Sequence, residues 1–117
     1  MSLIGKRIPK LDAADKATGR ARFITDLRLP GMLEGKILRS TVAHGIVRRI
    51  DVSRALQVPG VLAVLTAADI PAIAFGYAKD TTALKGERVR RVGDELAAVA
   101  ALDADAAEAA LEAIVVE

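Results

Sequence analysis

His44 is the only imidazole in a chain of 117 residues that contains no cysteine. A hydrolase of the Ser-His-Asp kind would have to use it as its sole base. It follows Arg39 and Ser40 across a short loop between two expected strands. The side chain serves as a base, as a contact to a partner, or as a loop histidine satisfied by backbone. No second histidine or thiol accompanies it, so a catalytic reading lacks the groups it would need. The missing thiols also exclude a thiolate zinc site, an iron–sulfur cluster, a disulfide framework and a cysteine nucleophile within these residues.

Two further sets of side chains invite chemistry and have plainer explanations. Arg88, Arg90 and Arg91 could hold a phosphate or an acidic surface. Strand alternation puts Arg88 and Arg90 on one face and Arg91 on the other, and an exposed strand explains them equally well. Asp103 and Asp105 could mimic a metal pair, but both sit where a helix begins. A capping carboxylate and the positive end of the helix dipole account for them. No glycine pattern has the strand-then-helix setting of a phosphate loop. The aromatics are Phe23, Phe75 and Tyr77 alone, too few for a platform that stacks single-stranded nucleic acid.

The elements that must position these residues follow from periodicity. Residues 1–20 alternate Lys10 and Lys16 with Asp12 and Asp15, show no helical stripe, and read as an extended arm. Ala21 to Thr25 is a short β-like run. Pro30-Gly31 signals a turn, and Met32 to Arg39 follows as a strand with Leu33 and Ile37 on one face and Glu34 and Lys36 on the other. Gly35 within it suggests a bulge or a close backbone approach. Ile46 to Val52 alternates as one continuous strand. Ser53 suits the N-cap of a helical turn that ends at Pro59-Gly60.

Val61 to Thr66 is a continuous apolar run, read as a central strand. Residues 72–88 read as a loop, Val89 to Val92 as a strand, and Glu95 to Leu102 as another buried strand. Asp103 caps the one long helical pattern, with Ala107, Ala110, Leu111 and Ile114 on its inner face and Asp105, Glu108 and Glu112 outside. Val115-Val116 returns to β character. The expected fold class is α+β, a small mixed sheet with one main C-terminal helix and short helical turns.

Composition supports one modest core: 52% of residues are apolar in the broad sense and 27% are charged. No apolar run approaches the ~18 residues that span a bilayer. The net charge of +2 hides an asymmetry. Residues 1–54 hold 12 basic and 5 acidic side chains, a balance of +7, and residues 55–117 hold 5 and 10, a balance of −5. Such a split fits solvated or partner-facing surfaces better than a nucleic-acid footprint, which clusters basic side chains with base-reading groups.

The order of short motifs is more specific than any one of them. The run includes Lys16-Ala17-Thr18-Gly19-Arg20-Ala21-Arg22-Phe23, Leu29-Pro30-Gly31-Met32-Leu33 and Lys36-Ile37-Leu38-Arg39-Ser40. It continues with His44, Ile50-Asp51-Val52-Ser53, Pro59-Gly60-Val61, Asp69-Ile70-Pro71, Val92-Gly93-Asp94 and Ala97-Ala98-Val99-Ala100-Ala101. The series resembles the start of the molybdenum-binding subunit of the xanthine dehydrogenase and aldehyde oxidase family. Phe75-Gly76, Val89-Arg90 and Gly93-Asp94 look most like its 4-hydroxybenzoyl-CoA reductase branch. The sequence departs from the family at Thr41 and Glu95, where proline is usual, and at Val42, Gly45 and Ile46.

The resemblance implies an α/β hammerhead over residues 21–117 behind an arm of residues 1–20, part of a longer chain. It implies no catalytic, cofactor-binding or metal-binding residue here. Molybdopterin would sit in later segments, with iron–sulfur centres and a possible FAD on other subunits or domains. Partners would be the remainder of the molybdenum-binding subunit and the iron–sulfur and flavin subunits, in the cytoplasm, without nucleic acid or membrane. Arg39, Ser40 and His44 are the candidate subunit-interface residues. The alternative is a free-standing assembly module that binds the rest of such an enzyme in trans.

Overall fold

The computed structural model describes residues 4–117; the first three residues of the expected arm lie outside them. The chain divides into two compact units, Met1–Gly31 and Met32–Glu117. In the first, the expected extended arm contains a helical turn, α1 (Ala13–Ala17), across which Lys16 pairs with Asp12 one turn earlier. The alternating charges that looked irregular are thus an i,i+4 pair. The β-like run at Ala21 to Thr25 is not a strand: a 3-10 turn covers Ile24–Asp26, and the Asp26 carboxylate accepts the Phe23 N–H at 2.9 Å. None of the described residues of this unit is buried.

The second unit is built on three antiparallel strands, β1 (Glu34–Arg39), β4 (Val61–Thr66) and β6 (Glu95–Ala101), in the order β1-β6-β4. The expectation that Val61 to Thr66 is central is corrected here. Its apolar run lies at a sheet edge, and β6 takes the middle. Six of the seven β6 residues are Leu, Ala or Val, which suits a strand paired on both sides. Gly35 makes no bulge. It pairs regularly with Ala100, and the β1–β6 register slips instead between Leu38 and Arg39.

The expected strand from Ile46 to Val52 is two pieces with different partners. β2 (Gly45–Ile46) pairs with β5 (Arg88–Val89), and β3 (Ile50–Asp51) pairs with β7 (Val115–Val116). Between them Val47 N–H donates to Glu87 O at 2.9 Å, and the next amide, Arg48 N–H, donates to Glu117 O at 2.8 Å. Alternation in sequence survives this change of partner, so periodicity alone does not reveal it. The strand expected at Val89 to Val92 is confined to β5, because the following residues turn back at Gly93 and Asp94. Ser53 is not a cap: its N–H and hydroxyl both donate to Asp51 Oδ1, and the 3-10 turn Ala55–Gln57 starts without a side-chain cap.

The helix α2 (Ala104–Ala113) covers one face of the sheet. Asp103 caps it, accepting the Ala106 N–H at 2.8 Å. Its inner side presents Ala106, Ala107 and Ala110 to Ala97, Val99 and Ala101 of β6, and Ala55, Val64 and Ile114 close the core. Methyl against methyl brings helix and sheet close, so the core gains contact by proximity rather than by bulk. Gly60 belongs to the same packing. Its φ is +89°, and a Cβ there would meet the Ala106 Cβ at 3.2 Å.

Candidate functional site

The Leu38–Arg39 slip shapes a junction between the end of β1 and the start of β6. Leu38 pairs with Ala97 and Arg39 with Glu95, leaving Leu96 as the extra residue of the longer strand. Arg39 Nη1 donates to Glu95 Oε1 at 2.7 Å and to Gly93 O at 2.9 Å. Beyond the strand, Ser40 N–H donates to Asp94 O and Gly93 N–H donates to Ser40 O, each at 2.8 Å. The Ser40 hydroxyl, itself buried, donates to Val42 O at 2.9 Å and accepts the Val42 N–H at 3.2 Å. That hydroxyl locks a turn, and no base is hydrogen-bonded to it.

Asp94 and Glu95 are the acidic half of this junction. The buried Asp94 carboxylate accepts the Arg90 N–H at 2.7 Å and Arg91 Nε at 3.1 Å. The Arg90 N–H bond chiefly holds its pKa below the usual carboxylate range, helped by Arg91 and the charge of Lys85. Glu95 is lowered too, first by its own backbone N–H and then by Arg39. Lys85 is buried beside them: its N–H donates to Glu95 O at 2.7 Å, and its ammonium donates to Thr82 O at 2.5 Å. Two ion pairs, Arg39–Glu95 and Arg91–Asp94, thus sit side by side at the junction, and Lys85 joins them through its backbone N–H to Glu95 O.

The structure joins two of the three expected interface residues. Arg39 and Ser40 share the junction, whereas His44 is exposed in the following loop and makes no hydrogen bond or ion pair among the described residues. A groove of about 340 Å³ runs past Arg39 and Ser40, with Leu38, Val42, Ile46 and Val89 among its walls. The arginine run divides as alternation suggested. Arg91 turns to Asp94, while Arg88 and Arg90 line an open cavity of about 570 Å³ together with Asp80 and Glu87. Lys85, Asp94 and Glu95 were not among the sequence candidates. Gly93-Asp94 reads as a turn, and nothing local to Glu95 announces a partner 56 positions away. The one available signal was that Glu95 stands where the resembled family has proline.

The arrangement positions chain segments. Each acid and base of the junction is engaged by another side chain or by backbone, and Ser40 has no activating partner. Among the described residues no group of three or more His, Asp or Glu side chains is placed to hold a metal ion. Among the described residues no helix is long and apolar enough to cross a membrane.

Comparison with known proteins gives this architecture relatives. The family described as aldehyde oxidase and xanthine dehydrogenase, a/b hammerhead domain, matches residues 18–117. A probable xanthine dehydrogenase component of Bacillus subtilis (strain 168) is 45% identical over 108 residues, covering 91% of this chain and 14% of its own length. The nicotinate dehydrogenase large molybdopterin subunit of Eubacterium barkeri is 40% identical over 117 residues, covering 98% of this chain and 28% of its own. Among solved structures, Cu,Mo-CO dehydrogenase in the carbon monoxide reduced state superposes with a TM-score of 0.84 at 34% identity. That match covers 97% of this chain and 15% of the solved one. The chain therefore spans a small part of the proteins it matches.

Proposed function

This chain belongs to the aldehyde oxidase and xanthine dehydrogenase hammerhead family, and from that premise we propose that it is the non-catalytic N-terminal domain of a molybdopterin-dependent oxidoreductase large subunit. Its role is packing and subunit contact. The observation that carries the reading is the pair of coverages: relatives match nearly the whole chain, yet the chain is 14% and 28% of their lengths. The complete enzyme is xanthine dehydrogenase-like or 4-hydroxybenzoyl-CoA reductase-like and works in the cytoplasm. The second label is supported by Phe75-Gly76, Val89-Arg90 and Gly93-Asp94.

The family's molybdenum centre lies outside this chain in this reading. We assign no step of the reaction to these residues. The pterin belongs to the remaining polypeptide, and iron–sulfur and flavin centres belong to other domains or subunits. In this reading residues 1–20 are an arm laid on a neighbour, residues 21–117 are the hammerhead, and Arg39, Ser40 and His44 meet a partner.

The test is to express the tagged 117-residue chain with the remaining large-subunit polypeptide and its companion subunits. The expected result is co-purification of the chain with the large-subunit remainder, and molybdenum in that remainder but not in the chain purified alone. Molybdenum at one equivalent per isolated chain, or failure to co-purify, rejects the proposal.

A further inference from the structure

The three-stranded sheet has two faces, and only one is covered by α2. On the other, Ile37 of β1, Ala98 of β6 and Leu65 of β4 form one row across the strands. Gly35, Ala100 and Ala63 form the next. Neither row holds a charged side chain. Ile37 and Leu65, on the two edge strands either side of Ala98, are 44% and 42% exposed, large aliphatics left open on the sheet.

The placement of charge makes this unusual for a surface meant for water. Of the charged residues of β1, Glu34 and Lys36 lie on the α2 side, where Lys36 pairs with Glu108 of the helix, and Arg39 ends the strand on the Ile37 side, tied to Glu95 beyond the two apolar rows. Alternation then forces Ile37 to the bare side. A sheet ending at solvent carries the opposite pattern, apolar inward and polar outward. Strand β4 adds a second, independent sign. It is a six-residue edge strand, Val61–Thr66, with no charge and no proline to guard it. Exposed edges of that kind invite pairing unless something covers them.

The geometry points to this bare face, bounded by the β4 edge, as the surface buried against the remaining large-subunit polypeptide, whose contacting layer is apolar and uncharged. The inference rests on the function proposed above and names where the contact lies. Small residues at Gly35, Ala63, Ala98 and Ala100 leave a shallow surface on which a helix or a second sheet can pack, with Ile37 and Leu65 as its raised anchors. The same lack of charge disfavours an acidic peptide or a nucleic acid here. The material for a covering layer exists in quantity: the match takes up 14% of one relative and 15% of the solved CO dehydrogenase chain.

The chain has no cysteine, so Ile37→Cys and Leu65→Cys each introduce a single thiol whose labelling by a maleimide reports access. Both variants keep an apolar side chain on the sheet. In the free 117-residue chain both label readily. In the co-purified complex with the large-subunit remainder, labelling of the chain slows at least tenfold at both positions. Equal rates in free chain and intact complex overturn the assignment of the face and leave the proposed function standing. Protection that grows with concentration of the free chain assigns the face to a second copy and also overturns it. Failure of the unmodified chain to enter a complex rejects the proposed function, and this inference with it.

Discussion

Arg39 and Glu95, 56 residues apart, meet at 2.7 Å where the β1–β6 register slips, and the same guanidinium nitrogen also caps the Gly93 carbonyl. Their side chains are 54% and 25% exposed. The pair is therefore half in water, and its worth is that of a partly screened contact, about 0.5–1 kcal/mol. A double-mutant cycle with Arg39→Ala and Glu95→Gln, read by urea unfolding, is expected to return a coupling of that size. A coupling indistinguishable from zero would show that the slip in register holds without the pair.

Asp94 makes the fold sensitive to acid in one direction. Its pKa in the folded chain lies below the ordinary carboxylate value of 3.8, chiefly because of the Arg90 N–H bond. A depressed folded pKa stabilises the native state above the unfolded value, and that contribution disappears as pH falls through the folded one. The urea midpoint of the unsubstituted chain is expected to drop below about pH 4. Asp94→Asn should be less stable at pH 7 and show a shallower fall over the same range. Parallel curves for the two proteins would remove Asp94 from the acid response.

Asp103 should matter as a cap and not as a ligand. Its carboxylate accepts the Ala106 N–H at 2.8 Å at the start of α2. Asp103→Ala is expected to cost about 1 kcal/mol in urea unfolding, while Asp103→Ser should recover most of it. A serine variant as unstable as the alanine one would point to some other role for the carboxylate.

The alanine layer between α2 and β6 leaves no room for growth. Ala107 and Ala110 are fully buried against Ala97 and Ala101, themselves fully buried. Ala107→Leu is expected to destabilise the fold by roughly 1–3 kcal/mol through overpacking. Gly60→Ala should also destabilise it, since it adds a Cβ at a φ of +89° and 3.2 Å from the Ala106 Cβ. Thermal melting of the two variants reads both effects, and an unchanged midpoint for Ala107→Leu would mean that α2 can shift outward.

Some of this protein could be read directly from residue order. The helix at Ala104–Ala113, its Asp103 cap, the strands β1 and β6, and the brief β7 follow from local period and capping chemistry, and the ordered motifs carried the family. These features depend on neighbours within a few positions. The short helix at Ala13–Ala17 escaped notice because one turn offers no stripe to detect. At the junction, Arg39 and Ser40 were named only as interface candidates that the resemblance implies, and Lys85, Asp94 and Glu95 acquire their roles from residues distant in the chain.

Alternation in β1 by itself determined that Leu33 and Ile37 share one side and Glu34 and Lys36 the other. Only the tertiary structure decided which side meets the helix, and it chose the charged one, because Lys36 finds Glu108 there while Leu38 reaches the core. Likewise, residues 46–52 carry a strand pattern in sequence, but its division into β2 and β3 depends on Arg88–Val89 and Val115–Val116 arriving from far along the chain. The physical reason is common to both. Side-chain period is a property of the local backbone, whereas face, edge and pairing partner are set by which distant surfaces exclude water together.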